Sequence, residues 1–360
     1  MTIHQENAAR PVDQERLDDL LGRFVNDLGA TISAGNVVIG DKLGLYRALA
    51  EAGPFTPGEL AAYTETAERY IREWLAGQAA GGYVSYDAAA GQYSLTAEQA
   101  VAFGDPAGLA LPGAFELAVA CLADESKVLD AFRTGHGVAW GDHHPGVFTG
   151  CERFYRPGYV ANLLSSWIPA VAGLGERLAA GISVADVGCG LGTSARLLAG
   201  AYPASSVSGF DSHPGSIDLA RTAAAAADLT DRCTFGVARA QDFPGTDYGL
   251  VATFDCLHDM GDPIAAARHI RNALAEDGVW LIVEPFAGGT TAENLTPVGR
   301  VYYSFSTFLC VPHAISEGAD NALGNQAGEA PISAVVSTAG FRTFSRVAET
   351  PFNIVYAARP

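Results

Sequence analysis

Residues 184–194 read Val-Ala-Asp-Val-Gly-Cys-Gly-Leu-Gly-Thr-Ser, and this stretch decides the fold of the chain. An apolar run precedes the glycines and good helix formers follow at 195–199, so the pattern predicts a strand, a tight turn and the start of a helix. Glycine suits such a turn because it adopts positive φ angles and lets a ligand approach the backbone. A dinucleotide-binding fingerprint has its third glycine three residues after the second. Here that position is Thr193, and the third glycine stands at Gly192.

The pattern Asp-x-Gly-x-Gly-x-Gly, formed by Asp186, Gly188, Gly190 and Gly192, resembles the first motif of the class I S-adenosylmethionine-dependent methyltransferases. In that family the glycine turn lies under the methionine part of the cofactor, and the acid helps to hold the turn and the amino group. The resemblance therefore implies that these four residues bind S-adenosylmethionine. A structural glycine turn in another doubly wound domain is the alternative interpretation.

A second predicted strand ends in the acid Asp211. In nucleotide-binding sheets, an acid about 20 residues after the first glycine bonds the ribose hydroxyls. The position of this acid supports a nucleoside ligand but does not distinguish NAD from S-adenosylmethionine. We assign Ser212 and His213, which follow the acid, to the same cofactor site.

Composition sets limits on the class of protein. The 360 residues suit two domains, and 49% apolar against 17% charged residues supports a sizeable core. The net charge of -18 opposes binding to nucleic acid or to anionic membranes. The six cysteines form no C-x-x-C pair, and Met1–Gln14 lacks the pattern of a secretory signal. We therefore expect a soluble, cytoplasmic protein with no nucleic-acid or membrane partner.

The first hundred residues show a winged-helix pattern. Helical spacing is followed by two short strand-like runs at 83–86 and 92–95, and Thr56 before Pro57 is a natural helix N-cap. Winged helices often bind DNA, but residues 1–100 hold seven Lys or Arg against fourteen Asp or Glu. In the small-molecule methyltransferases that this arrangement resembles, such a domain forms the homodimer and covers the active site.

The chain is predicted to contain three parts and a seven-stranded sheet. The parts are a winged-helix-like dimerisation domain at 1–100, a helical connector and substrate lid at 101–181, and a class I methyltransferase domain at 182–360. Strands are predicted near 182–187, 206–210, 232–237, 249–254, 278–284, 341–347 and 352–358. The resemblance implies an α/β, Rossmann-like sheet with strand order 3-2-1-4-5-7-6.

Candidate catalytic residues follow the fourth and fifth predicted strands. Leu257-His258-Asp259 with Asp262 resembles the Leu/Cys-His-Asp-Trp-x-Asp segment of O-methyltransferases, whose histidine is the general base. A neutral imidazole accepts a hydroxyl proton as the methyl group arrives. A histidine that only lines the pocket or caps the next helix is the alternative. Glu284 ends the fifth strand and is predicted to orient His258.

The remaining site predictions concern the cofactor and the acceptor. Further cofactor-binding candidates are Gln241, Asp242, Phe254 and Asp255. Substrate-facing candidates are Trp140, His144, Tyr155, Tyr159, Tyr302 and Tyr303. Tyr302 and Tyr303, together with Phe305, suggest an aromatic or otherwise flat apolar acceptor.

We therefore predict transfer of a methyl group from S-adenosylmethionine to a hydroxyl of a small molecule, by in-line displacement and without a metal. Two alternatives remain open. One is a metal-dependent C- or N-methyltransferase that uses His258 with His143, His144 or His313, and the other is a cofactor-sensing transcriptional regulator. The identity of the acceptor lies beyond the sequence.

Overall fold

The computed structural model describes residues 11–105, 108–319 and 322–360. The chain divides into two compact units, of which the first ends at Phe115 and the second begins at Glu116. The three-part division predicted from the sequence, with boundaries at 100 and 181, stays a prediction. The predicted lack of a secretory signal concerns mainly residues 1–10, which lie outside the described residues. Within the described part of the chain, no helix is both long and apolar enough to cross a membrane.

The first unit consists of helices followed by a small hairpin. Its elements are α1 (Gln14–Lys42), α2 (Leu45–Ala52), α3 (Pro57–Tyr63), α4 (Glu68–Ala80), β1 (Ser85–Asp87), β2 (Gln92–Ser94) and α5 (Ala97–Gln99). Strands β1 and β2 pair antiparallel. As predicted, α3 begins after Thr56, whose hydroxyl accepts a hydrogen bond from the backbone N–H of Glu59. The carboxylate of Glu59 accepts the backbone N–H of Thr56 in return, which completes a capping box.

Helix α4 is the element that would read DNA in a winged-helix regulator. Its two arginines are both engaged on the helix surface, Arg69 with Glu73 at 2.6 Å and Arg72 with Glu68. A DNA reader needs such cations to neutralise phosphates. The predicted absence of a nucleic-acid partner stays a prediction.

The second unit alternates strands and helices. Its first elements are α6 (Pro112–Ala123, which begins in the first unit), α7 (Glu125–Thr134), α8 (Gly146–Asn162), α9 (Leu174–Ala180), β3 (Ser183–Val187), α10 (Thr193–Ala201), β4 (Ser206–Asp211), α11 (Pro214–Ala226) and β5 (Cys233–Val237). There follow β6 (Tyr248–Phe254), α12 (Pro263–Ala273), β7 (Leu274–Pro285), α13 (Pro297–Phe305), α14 (Val311–Ser316), α15 (Glu329–Thr338), β8 (Thr343–Glu349) and β9 (Asn353–Arg359). A π-helical turn at Ser306–Cys310 joins α13 to α14.

The seven strands of the second unit form one sheet in the order β5-β4-β3-β6-β7-β9-β8. Numbered within the sheet this is 3-2-1-4-5-7-6, so the predicted order is confirmed. The first five strands are parallel and β9 runs antiparallel to both its neighbours. Apolar clusters cover both faces, as expected for the uninterrupted apolar run in β7. Since strand order reverses between β3 and β6, ligands are expected beyond the carboxyl ends of these two strands.

Candidate active site

The turn after β3 is fixed by the buried carboxylate of Asp186. Its Oδ2 accepts a hydrogen bond of 2.5 Å from the hydroxyl of Ser194, in the first turn of α10. Burial raises the pKa of Asp186 to about 7, against the opposing effect of that bond. The side chain of Asp186 is fully buried and therefore stabilises the turn from its protein-facing side.

The glycine turn leaves room for a ligand at Gly190. This residue has a φ of +52°, and no heavy atom lies within 4 Å of the position that a Cβ would occupy. Its backbone N–H donates to Oδ2 of Asp211 at 2.9 Å, which ties the end of β4 to the turn. Oδ1 of Asp211 accepts the backbone N–H of His213 at 2.9 Å. Because each carboxylate oxygen has two lone pairs, Asp211 keeps acceptor capacity for ribose hydroxyls.

A cavity of about 190 Å³, here called the main cavity, opens beside this turn. The residues lining it near the strand ends include Gly188, Gly190, Asp211, Ser212, Gln241, Phe254, Asp255 and Asp259. Helices contribute Trp140, Phe148, Glu152, Tyr155, Tyr159, Phe305, Cys310 and His313, together with Asn325 from the loop after α14. The cavity thus occupies the place expected from the sheet topology.

The charges around the main cavity suit a cationic nucleoside ligand. Among the described residues that line it, Arg239 is the only Lys or Arg, and its guanidinium is bound to Asp242 at 2.8 Å. Carboxylates from Glu152, Asp211 and other residues line the same space. With the open space at Gly190, this negative environment fits the positively charged sulfonium of S-adenosylmethionine.

A buried network holds Asp255, the residue after β6. The hydroxyl of Tyr159 donates to its Oδ2 and the side-chain amide of Asn353 donates to its Oδ1, each at 2.8 Å. Burial and the nearby Glu284 raise the pKa of Asp255 to about 8. The backbone of Asp255 has a φ of +51°, which is uncommon for a residue other than glycine, and the two hydrogen bonds fix its side chain.

His258 lies behind the cavity wall and is 1% exposed. Its Nδ1 is 2.6 Å from a carboxylate oxygen of Glu284, and its Nε2 is 3.1 Å from Oδ1 of Asp259. Burial disfavours the charged imidazolium, but the carboxylates of Asp259 and Glu284 outweigh burial and raise the pKa of His258 well above its usual value. Asp259 itself lines the cavity. The histidine is therefore a strong base with two anions that stabilise its protonated form.

The structure brings most of the predicted site residues to the main cavity. Those that line it are Gly188, Gly190, Asp211, Ser212, Gln241, Phe254, Asp255, Trp140, Tyr155 and Tyr159. Glu284 lies beside His258, as predicted.

Other predicted residues have different contacts. Gly192 packs against Phe235, Asp242 pairs with Arg239, and His213 caps α11. The hydroxyl of Tyr302 donates to a backbone carbonyl, Nδ1 of His144 accepts a backbone N–H, and Tyr303 lines a second cavity. Their assignments to the cofactor or the acceptor stay predictions.

Several cavity residues were not singled out from the sequence. Glu152 accepts a 2.8 Å hydrogen bond from the hydroxyl of Thr193 at the start of α10. Cys310 and Asn325 lie close to His258, 52 and 67 residues away along the chain. No local sequence motif marks these three positions, whereas Asp259 belongs to the motif Leu257-His258-Asp259.

The histidines proposed as alternative metal ligands are placed differently. Nδ1 of His143 contacts a carboxylate oxygen of Asp124 at 3.0 Å, and burial lowers the pKa of His143 despite that contact. Ligand atoms of His258, Asp259 and Cys310 lie within 4.8 Å of one another. A metal ion bound by His258 would therefore take Asp259 and Cys310 as its further ligands.

Two family models match the chain. A model described as a methyltransferase domain matches residues 184–278, and one described as an Rv2258c-like winged HTH domain matches residues 31–104. The chain carries a methyltransferase domain. The predicted combination of this domain with an N-terminal winged helix is confirmed, and so is the predicted class of enzyme, a methyltransferase.

Solved structures share the fold over nearly the whole chain. Mitomycin 7-O-methyltransferase MmcR is 19% identical, with a TM-score of 0.69 over 96% of this chain and 100% of that chain. Human N-acetylserotonin methyltransferase in complex with S-adenosylmethionine is 17% identical, with a TM-score of 0.69 over 98% and 99%. The S-adenosylmethionine-dependent methyltransferase SibL is 23% identical, with a TM-score of 0.61 over 94% and 99%. The prediction that S-adenosylmethionine is the cofactor agrees with these structures. No curated protein sequence matches the chain.

Proposed function

We propose that this methyltransferase transfers the methyl group of S-adenosylmethionine to a hydroxyl oxygen of a small-molecule acceptor. The observation that carries the proposal is a single cavity lined both by the glycine turn, through Gly190, and by Asp259, the ion-pair partner of His258. When bound, S-adenosylmethionine supplies a methyl group activated by its sulfonium, so much of the rate comes from holding the acceptor in line with that methyl group.

The residues of the glycine turn and the strand ends hold the cofactor in this proposal. The open backbone at Gly190 accommodates the methionine part, and Asp211 accepts the ribose hydroxyls. Gln241 lines the cavity, and its side-chain amide can form hydrogen bonds with the adenine. The neighbouring Asp242 instead forms an ion pair with Arg239. Asp255, which directly follows β6 and is held by Tyr159, lines the same cavity.

His258 accepts the proton that the acceptor hydroxyl loses. In its neutral form the imidazole has its Nδ1–H directed at Glu284, which leaves the lone pair of Nε2 for the proton. The imidazolium that results is held between Glu284 and Asp259. The carboxylate of Glu284 thus fixes the tautomer and stabilises the product of proton transfer.

Calorimetric titration with S-adenosylmethionine, S-adenosylhomocysteine and NAD tests the cofactor. We expect micromolar binding of the first two and none of NAD. Binding of NAD alone would remove the proposed function and each site assignment built on it.

The base is tested by His258→Gln. Loss of a general base lowers kcat by about 100-fold or more, while binding of S-adenosylhomocysteine stays unchanged. His136→Gln replaces an exposed histidine and serves as the control. Full activity of the His258 variant would refute the assignment.

A metal-dependent reaction is the second candidate because His258, Asp259 and Cys310 offer three ligand atoms close together. An N, O and S ligand set of this kind suits Zn²⁺ with an open fourth position. Loss of turnover on dialysis against a chelator, with recovery on adding Zn²⁺, would favour this candidate. Unchanged turnover supports the base mechanism.

We also propose a homodimer formed through the first unit. One face of α1 exposes seven large apolar side chains, at Leu20, Leu21, Phe24, Val25, Leu28, Ile32 and Ile39. An exposed apolar face of this kind marks an interaction surface. Sedimentation of the protein and of Phe24→Glu tests the dimer, which the charged side chain should weaken. The predicted cytoplasmic location stays a prediction.

A further inference from the structure

Glu152 on α8 lines the main cavity together with Leu191 and Thr193 of the glycine turn and α10. The hydroxyl of Thr193 donates a hydrogen bond to Oε1 of Glu152 at 2.8 Å. The guanidinium of Arg156 lies 3.9 Å from the same oxygen. Within the described part of the chain these are the hydrogen-bond and ion-pair partners of Glu152. The other oxygen of this carboxylate, Oε2, therefore keeps its full capacity to accept hydrogen bonds.

The contact with Thr193 fixes Glu152 relative to the glycine turn. Thr193 is the first residue of α10, and its Oγ1 also accepts a hydrogen bond of 3.2 Å from Nη2 of Arg196. Nη1 of the same arginine donates to the backbone carbonyl of Leu191 at 2.8 Å. The side chain of Glu152 is 18% exposed. Its negative charge is thus held beside the turn and is largely shielded from bulk water.

Three other carboxylates near the turn are already engaged. Asp186 is fully buried and is not among the described residues that line the main cavity. Asp211 accepts one hydrogen bond on each oxygen, and so does Asp255. Of these four carboxylates, Glu152 is therefore the one that lines the cavity with an oxygen free of described partners.

We propose that the α-ammonium group of the methionine part of S-adenosylmethionine donates a hydrogen bond to Oε2 of Glu152. This inference rests on the proposed function, in which the methionine part lies at Gly190 in the same cavity. A charge-assisted hydrogen bond is stronger where water is largely excluded. Arg156 is 45% exposed, so solvent screens its attraction for Glu152 and leaves the carboxylate available to the ligand.

Two matched ligands test the inference by calorimetry on the parent protein. S-adenosylhomocysteine carries the α-ammonium group but no sulfonium, so its affinity reports on the ammonium group alone. Its deamino analogue, in which hydrogen replaces the amino group, keeps the adenosine, the thioether and the carboxylate. We expect the parent to bind S-adenosylhomocysteine at least about tenfold more tightly than the analogue, a difference of about 1.4 kcal/mol. Equal affinities overturn the inference without any variant.

A charge-neutral variant assigns this preference to Glu152. Glu152→Gln keeps an oxygen that can accept the hydrogen bond from Thr193 and removes the negative charge. We expect it to bind S-adenosylhomocysteine at least about tenfold more weakly, again about 1.4 kcal/mol. Binding of the deamino analogue should stay unchanged or become tighter, because only a carboxylate remains at that end of the ligand.

The pattern across both ligands separates a ligand contact from a structural role. Equal weakening of both ligands in Glu152→Gln would mean that Glu152 acts only through Thr193, which overturns the inference, and so does unchanged binding of S-adenosylhomocysteine. Glu276→Gln removes the same charge from an exposed position on β7 and should bind both ligands as the parent does. A parent protein that does not bind S-adenosylhomocysteine at all refutes the proposed function instead, so the two failures are distinguishable.

Discussion

Replacing Gly192 by alanine should destabilise the second unit far more than the same change at Gly190. Gly192 has a φ of +76°, and a Cβ there would lie 2.5 Å from two ring atoms of Phe235 and 3.1 Å from Cβ of Ala220. The left-handed conformation costs an alanine about 1–2 kcal/mol. Forcing the buried ring aside costs about 1–3 kcal/mol more. We therefore expect Gly192→Ala to lose about 2–5 kcal/mol of unfolding free energy.

Gly190 provides the matched control within the same turn. Its φ is +52°, and a Cβ there would meet no heavy atom within 4 Å. Only the backbone cost of about 1–2 kcal/mol remains. Because Gly190 lines the main cavity, however, the added methyl group enters the space proposed for the cofactor.

Urea unfolding and calorimetry on both variants separate the two effects. Gly192→Ala should lose about 2–5 kcal/mol of unfolding free energy, whereas Gly190→Ala should lose only the backbone cost of about 1–2 kcal/mol. Gly190→Ala should also bind S-adenosylhomocysteine at least about tenfold more weakly, which corresponds to about 1.4 kcal/mol. Equal stability losses in the two variants would refute the packing argument at Gly192. Unchanged affinity in Gly190→Ala would refute the placement of the cofactor at the turn.

Three further predictions concern pH, a buried bond and a helix cap. Because the pKa of His258 is raised, activity that needs the neutral imidazole falls as pH drops through a value above about 6.5. In a profile of kcat/KM against pH, Glu284→Gln should move this acidic limb to lower pH, and an unmoved limb contradicts the pairing of Glu284 with His258. Tyr159→Phe removes the donor to Asp255 and should cost about 1–3 kcal/mol in urea unfolding, and an unchanged unfolding free energy contradicts a stabilising role of this bond. Thr56→Ala removes the capping box of α3 and should cost about 1 kcal/mol in the same assay, with Thr56→Ser as the variant that retains the cap.

The fold was predictable where its signals are local. The glycine turn after Val187, the apolar strands and the cap at Thr56 each depend on residues close together in sequence, and the structure has all of them. Strand boundaries agree within a few residues except for β7, which begins at Leu274 rather than 278. β7 begins earlier because Leu274 pairs with Tyr248 before an irregularity in the hydrogen-bond ladder. The sequence pattern of a single strand does not reveal such a pairing.

The site was predictable only in part because much of it depends on contacts between distant segments. The His258 and Glu284 pair follows from the topology, since Glu284 lies at the end of β7 and His258 lies in the turn that follows the neighbouring strand β6. Asn325 comes from a loop after α14, and nothing in its sequence surroundings indicates that it approaches the histidine. Tyr302 shows the opposite case, because its hydroxyl donates to the carbonyl of Phe352 and not into the main cavity.

The two carboxylates around His258 have a further consequence for the chemistry. Methyl transfer from a sulfonium to a neutral hydroxyl, with the hydroxyl proton passing to the base as the methyl group arrives, moves one positive charge from the cofactor to the base. Glu284 and Asp259 lie where that charge arrives, at 2.6 and 3.1 Å from the imidazole nitrogens. They therefore stabilise the charge after the transfer more than before it, which is the condition for an interaction to accelerate a reaction. Loss of the Glu284 carboxylate should accordingly reduce kcat more than it reduces the affinity for the cofactor.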